Sequence, residues 1–248
     1  MKLLVLLTVG LLLNCQRPAD DKIVLINIGN LSRLEIARCI GTVKELHPRV
    51  MALDVQFDGS QPHQGDQELF EVLEDCPNLV QPSMISYIGD GKHSVYYNGG
   101  QVFTALVSET GFINAILEED GFETQRKFLL KETNTANDKV EYHFSVKTAM
   151  LYDSILTQKF LRHNSGVIEI DFTRKSNQFR VLQAQDIIES AIASQDVKDK
   201  IVMIGFLGPG EEDKFYTPLN DRSKSSKPDM YGMEILANIV YQILESEE

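Results

Sequence analysis

The sequence predicts an α/β fold, with a mostly parallel central sheet, helices on both faces and a hairpin-like insertion in the middle. Two observations predict it. Nearly continuous, β-branched apolar runs lie at 22–28 (KIVLINI), 50–57 (VMALDVQF) and 200–206 (KIVMIGF), the pattern of strands covered on both faces. Segments with apolar residues at helical spacing follow the first two runs, so strands and helices alternate, as right-handed crossovers between parallel strands require.

The elements follow in order. Gly29-Asn30 breaks the first run, and Ser32 with Glu35 three residues on forms a capping box. Ile36, Ile40, Val43 and Leu46 then make a helical stripe that His47-Pro48 ends. Asp58-Gly59-Ser60 is the turn after the second run. Asp66 reads as the N-cap of a helix bearing Leu69, Phe70, Val72 and Leu73, up to Cys76-Pro77. A third short strand is predicted at 78–81. From 83 to 109 the pattern is one of short strands and loops, punctuated by Gly89, Gly91, Gly99 and Gly100. Segments 111–117 and 122–130 flank a turn and read as the hairpin. The longest helical pattern runs from 143 to 161, with Val146, Ala149, Met150, Leu156 and Phe160 near one face. A strand at 167–172, a helix at 184–193 and the buried run at 200–206 come next. A long loop rich in Lys, Ser and Pro spans 208–228. The closing helix, 230–244, has a stripe of Met233, Ala237, Val240 and Leu244.

Composition narrows the function classes. With 43% hydrophobic residues over 248 positions, the chain can bury one substantial core. Its formal net charge is −12, which is opposite to the footprint of a nucleic-acid binder. An anionic bilayer would repel it too, so membrane attachment requires an anchor. The N-terminus supplies a candidate. Met1-Lys2 precedes an apolar run at 3–13, too short to span a bilayer, and the run ends at Leu12-Leu13-Asn14-Cys15. This resembles a bacterial lipoprotein signal, with Leu12 three residues before a lipidated Cys15, although Asn14 stands where a small residue is usual. The plainer alternative is a free cysteine after an ordinary signal or an amphiphilic anchor. Residues 1–18 are accordingly read as the signal and 19–248 as one domain. Cys39 and Cys76 read as two buried thiols that export could allow to pair.

Local motifs for catalysis are missing. Gly205, Gly208 and Gly210 follow a buried strand, but no Lys-Ser/Thr comes after them and Glu211-Glu212-Asp213 would repel phosphate. His47, His63, His93, His143 and His163 have no zinc spacing. The carboxylates Asp54, Asp58 and Asp66 gather near one strand end and Asp213 follows another. Ligands of open parallel sheets bind at the carboxyl ends of strands. Such oxygens could hold Ca²⁺ or Mg²⁺, but no EF-hand spacing is present, and caps and turns account for the same residues. No metal and no cofactor is therefore assigned. Within 213–218 (DKFYTP), Phe215 and Tyr216 can anchor the loop by burial, Pro218 stiffens it, and Asp213 and Thr217 can bond nearby backbone. The block reads as a latch over the sheet edge.

Three stretches together resemble the second type of the CHASE group, extracellular sensory domains of bacterial cyclases and histidine kinases. The first runs from Asp21 through Val50 to Asp58 and on to Gly65-Asp66-Gln67. The second comprises Gly111-Phe112-Ile113-Asn114, Glu119-Asp120-Gly121 and Arg126-Lys127-Phe128. The third and most specific joins 200–205, 213–219 (DKFYTPL) and 228–234 (PDMYGME), with Ala237-Asn238 in the closing helix. The likeness spans residue 20 or so to the end. It implies a sensory module outside the cytoplasmic membrane. Members usually continue into transmembrane helices and a cytoplasmic output domain, neither of which lies within these 248 residues. Leu236 stands where members often have His, so no role for that imidazole carries over. With Thr217 and Glu234 from the third stretch, the ligand-binding candidates are Asp54, Asp58, Asp66, Asp213, Thr217 and Glu234. The expected function is an exported, lipid-anchored, non-catalytic sensory or ligand-binding domain. Its partner would be an unknown small molecule or a membrane signalling protein. A carboxylate-dependent hydrolase or transferase of the envelope is the alternative, and a purely structural envelope protein the third reading.

Overall fold

The computed structural model describes residues 22–57, 63–88, 92–96, 109–135, 137–220 and 227–246. The signal segment with Cys15, the turn at Asp58-Gly59-Ser60, and Gly89, Gly91, Gly99 and Gly100 lie outside the described residues.

Six strands form the parallel sheet: β1 (Ile23–Asn27), β2 (Val50–Asp54), β3 (Leu79–Ile88), β5 (Glu109–Phe112), β11 (Arg180–Gln183) and β12 (Ile201–Gly205). The spatial order is β11-β1-β12-β2-β3; β5 pairs with the first half of β3, and β4 (Lys92–Tyr96) runs antiparallel to the second half. Val24 pairs with Val202 and Ile26 with Ile204, so the two most apolar runs are neighbours at the centre. Helix α1 (Arg33–Glu45) carries the chain from β1 across β12 to β2, and α2 (Asp66–Glu74) leads from β2 to β3.

Alternation of side chains along each strand creates two cores. Ile26, Met51, Leu53, Val202 and Ile204 face α1, α2 and the short helix α5 (Ala184–Ile188). Ile23, Leu25, Val50, Ala52, Ile201 and Met203 face α3 (Phe144–Tyr152), α4 (Ser154–His163) and α6 (Gly232–Glu245). α6 is the most enclosed helix: Met233, Ile235, Ala237, Ile239, Val240 and Ile243 are all fully buried. Beyond the main sheet, β6 (Ile116–Leu117), β7 (Gln125–Leu129) and β10 (Val167–Glu169) form a small antiparallel sheet. β8 (Lys131–Asn134) pairs with β9 (Lys139–Tyr142), and β13 (Lys214–Phe215) with β14 (Met230–Tyr231).

Several expectations need correction. The long helix expected at 143–161 is two helices. Asp153 leaves helical geometry, and its carboxylate caps α4 by accepting from the Ile155 and Leu156 amides. His143 likewise caps α3 through Nδ1, which accepts from the Ser145 amide. Asp66 is the first residue of α2 and not its cap. The cap is Gly65, at φ 92°, where an added Cβ would lie 2.3 Å from the Leu34 amide nitrogen. Only 116–117 pairs with β7 as a hairpin, because 109–112 joins the main sheet beside β3. The helix expected at 184–193 stops at Ile188.

Candidate functional site

The carboxyl ends of β1, β12 and β2 lie side by side, and Asn27, the last residue of β1, ties them together. Its Oδ1 accepts from the Gly29 amide at 3.0 Å and the Leu207 amide at 2.9 Å, while Nδ2 donates to Gln183 at 3.2 Å. One short side chain therefore fixes β1, β11 and the segment leaving β12. Next along the edge, Gly205 of β12 is paired with Asp54 of β2. A Cβ at Gly205 would lie 2.9 Å from Met233 Sδ and 3.1 Å from the Asp54 carbonyl oxygen. Glycine here lets the first turn of α6 pack directly on the strand ends.

Asp213 reaches the same place from the loop. Its backbone is left-handed at φ 63°, and its carbonyl accepts from the Gly232 amide at 2.8 Å. Its carboxylate lies against that first turn, since a Cβ at Gly232 would sit 3.0 Å from Oδ2. The Asp213 carboxylate and the Asp54 Cβ thus both lie near the packing of α6 on the strand ends. Burial pushes Asp54 up to about 7, and the negative charge of Asp213 adds to the effect. Burial pushes Asp213 up to about 6, partly offset by the Gly232 N–H. Among the described residues no cationic side chain bonds to either. Near neutral pH such a pair can hold a proton and so both donate and accept hydrogen bonds.

The latch over this edge exists, but its acceptor is Asp229. The Thr217 amide donates to Asp229 Oδ1 at 2.9 Å and the Thr217 hydroxyl to Oδ2 at 2.6 Å. Asn220 Nδ2 adds bonds to the Lys227 carbonyl and to Asp229 Oδ1. Phe215 pairs with Met230 across β13 and β14. The Tyr216 carbonyl accepts from the Gln125 amide, and its ring meets Phe122 at 5.2 Å. The Tyr231 hydroxyl donates to the Gly210 carbonyl at 2.7 Å. Asp213, as expected, bonds nearby backbone at Gly232, while Thr217 is held by Asp229.

The remaining candidates differ in placement. Glu234 is almost fully buried in α6 and accepts from the Tyr231 amide at 2.9 Å and the Ser176 hydroxyl at 2.6 Å. Burial raises its pKa, and these two donors offset part of the rise. Asp66 stands apart, bonded to Arg33 at 2.6 Å and to the His63 amide at 2.7 Å, on the side of the sheet that α1 and α2 cover. Burial alone would raise its pKa, but these donors hold it below the usual carboxylate range. Asp58 lies outside the described residues. The edge thus brings together Asp54 and Asp213, with Thr217 and Glu234 in the elements that frame them. Asn27, Asp229 and Tyr231 lie in the stretches that carry the resemblance but were not among the site candidates, and Ser176 was not singled out. Asn27 carried a usable signal, as a polar residue ending a buried strand; the others are matched only by the fold.

Among the described residues no three His, Cys, Asp or Glu side chains converge as metal ligands. Nor is any helix among them long and apolar enough to cross a membrane. No curated protein and no solved structure is significantly similar to the chain. The CHASE2 domain family matches residues 12–248. The match takes in both cores, the carboxyl edge and its latch, and the chain belongs to this family of sensory domains of signalling proteins.

Proposed function

We propose that the protein is an exported sensory domain, anchored through a lipidated Cys15, that binds a small ligand without transforming it. The site is the carboxyl edge of the sheet, at Asp54 and Asp213, beneath the segment that Thr217 and Asp229 latch. The observation that carries the reading is that Asp54, at the end of β2, and Asp213, from the loop after β12, stand at the carboxyl ends of the strands without a cationic partner among the described residues, where parallel sheets place ligands. CHASE2 domains are typically extracellular or periplasmic, which agrees with the leader and Cys15. The ligand class that fits is a small organic molecule presenting hydrogen-bond donors or a positive charge. Binding would act by population shift, favouring one seating of the latched segment. A thermal-shift screen of amines, amino acids and polyols on the purified protein tests this, because a ligand that binds only the folded state raises Tm. Hits should lose their shift in Asp54→Asn. Hits that shift the variant equally place the site elsewhere.

The raised pKa values of Asp54 and Asp213 also favour a second reading, a carboxylate-dependent hydrolase, since acid–base catalysts need such tuning. Mass spectrometry of each hit after prolonged incubation separates the two: recovery of intact ligand supports sensing, and a product supports catalysis.

A further inference from the structure

We propose that the amino edge of the parallel sheet, together with the first turn of α4, rests on an anionic lipid bilayer. Ile155 and Leu156 dip into the headgroup layer, and Lys22, Arg49, Lys198 and Lys200 meet lipid phosphates. The proposal rests on the membrane anchorage read above from the leader, and it assigns the side of the domain that faces the lipid.

Backbone bonds assemble this edge. The Lys22 carbonyl accepts from the Ile201 amide, and the Lys200 carbonyl accepts from the Arg49 and Val50 amides. The entries to β1, β12 and β2 therefore form one surface. α3 leads down to it. His143, which caps α3, bridges to Phe112 at the far end of β5, while Tyr152, the last residue of α3, lies under the Arg49 guanidinium at 4.8 Å. α4 starts at that point and runs back. Just beyond it the Gly166 carbonyl accepts from the Leu130 amide, and the Leu130 carbonyl accepts from the His143 amide. Side chains on a helix tilt toward its N-terminus, so those in the first turn of α4 lean toward the amino edge.

The chemistry of this corner matches a lipid surface. Ile155 is 79% exposed and Leu156 38%, while Thr157 and Phe160 bury the opposite face of α4. Lys159, four residues on, shares the face of Ile155. An apolar tip followed by a cation is the arrangement of an interfacial helix. The chain carries a net charge of −12, so an anionic bilayer repels it as a whole and turns its most cationic side inward. Around the entries to β1, β12 and β2 the four cations outnumber Glu45 and Asp199. The other acids nearby are engaged: Asp75 with Lys44, Asp196 with Arg180, and Asp153 with the α4 amides. The tether ends here too. Residues 16–21 separate Cys15 from Lys22, a reach of at most about 25 Å. β1 and β12 each run five residues, about 16 Å. Asp54 and Asp213 at the opposite edge would then stand clear of the lipid and open away from it.

The test uses the absence of Trp from the chain. Ile155→Trp, and Leu219→Trp in the segment at the carboxyl edge, each place a single indole at a position that is already exposed. Cys39 and Cys76 are buried, so a maleimide phospholipid coupled to Cys15 tethers the full chain to vesicles of phosphatidylethanolamine and phosphatidylglycerol, whatever the cell attaches to that residue. Shallow bromine atoms on the acyl chains quench any indole that enters the interface. Emission of Ile155→Trp should shift to shorter wavelength and fall about twofold or more in brominated vesicles, with Leu219→Trp unchanged. Replacing phosphatidylglycerol by phosphatidylcholine should weaken that quenching. Emission of Ile155→Trp that ignores brominated lipid overturns the proposal. So does equal quenching at both positions, or quenching undiminished in phosphatidylcholine. Mass spectrometry of Cys15 judges the natural anchor separately, so failure of that reading and failure of this one are distinguishable.

Discussion

Thr217 and Asp213 sit four positions apart in one segment yet depend on opposite physics. Thr217 is fully buried and matched twice by Asp229. Thr217→Val keeps the shape but strips a half-buried carboxylate oxygen of its donor, and should cost about 1–3 kcal/mol by chemical denaturation. A loss within a few tenths of zero would mean that water replaces the hydroxyl. Asp213 meets the Gly232 amide through its carbonyl and its carboxylate, and its carboxyl is still held above the ordinary value. Asn tolerates a left-handed backbone, so Asp213→Asn should leave stability unchanged or raise it at neutral pH. His143 supplies a third expectation. Its neutral ring accepts a bond from the Ser145 amide and packs between Phe112 and Phe128 at 5.5 and 5.2 Å. Protonation in the unfolded state therefore draws stability away below 6.5. His143→Asn, which keeps a capping oxygen, should flatten the decline of stability with acid between about pH 6 and 4, whatever its effect on absolute stability. At this scale the sequence was half legible. Strand-end position alone brought out Asp54 and Asp213. Nothing local linked Thr217 to Asp229, twelve residues on, or Glu234 to Ser176 of the opposite segment.

The elements divide by how they are buried. β1, β2 and β12 are covered on both faces, so nearly every residue is apolar and the strands stand out in the sequence. Ile204→Ala at the centre should cost about 2–5 kcal/mol, measured by denaturant unfolding, and a cost below ~1 kcal/mol would contradict its central place. Gly205→Ala should cost about 1–3 kcal/mol, because the new methyl meets Met233 and the Asp54 carbonyl. β11 escaped notice because it is the edge strand and alternates between half-buried and exposed residues. The β8–β9 hairpin, KETN against KVEY, is too polar to show an apolar period. The break between α3 and α4 has no Gly or Pro to announce it. Asp153 causes it, choosing to cap the next helix rather than continue the last.

For the whole molecule, the parallel sheet explains why polar chemistry gathers at one edge. Each strand and its helix deliver a loop there, and the long loop after β12 returns to it through β14 and α6. Cys39 and Cys76 lie inside the α1–α2 core as free thiols. Burial raises them to about 12 and about 11, so they are inert packing groups and not a disulfide. The anchor is tested separately: mass spectrometry of the mature N-terminus should find Cys15 acylated, and an unmodified Cys15 would refute anchoring by that residue. The claim on which the functional account most depends is that Asp54, half-buried at the end of β2, and the nearby Asp213 both titrate well above ordinary carboxylates. An NMR titration of their side-chain carboxyl carbons measures this directly. The account predicts that the pair titrates with apparent values of about 6–7. Two transitions in the ordinary carboxylate range, at or below about 4, would contradict it.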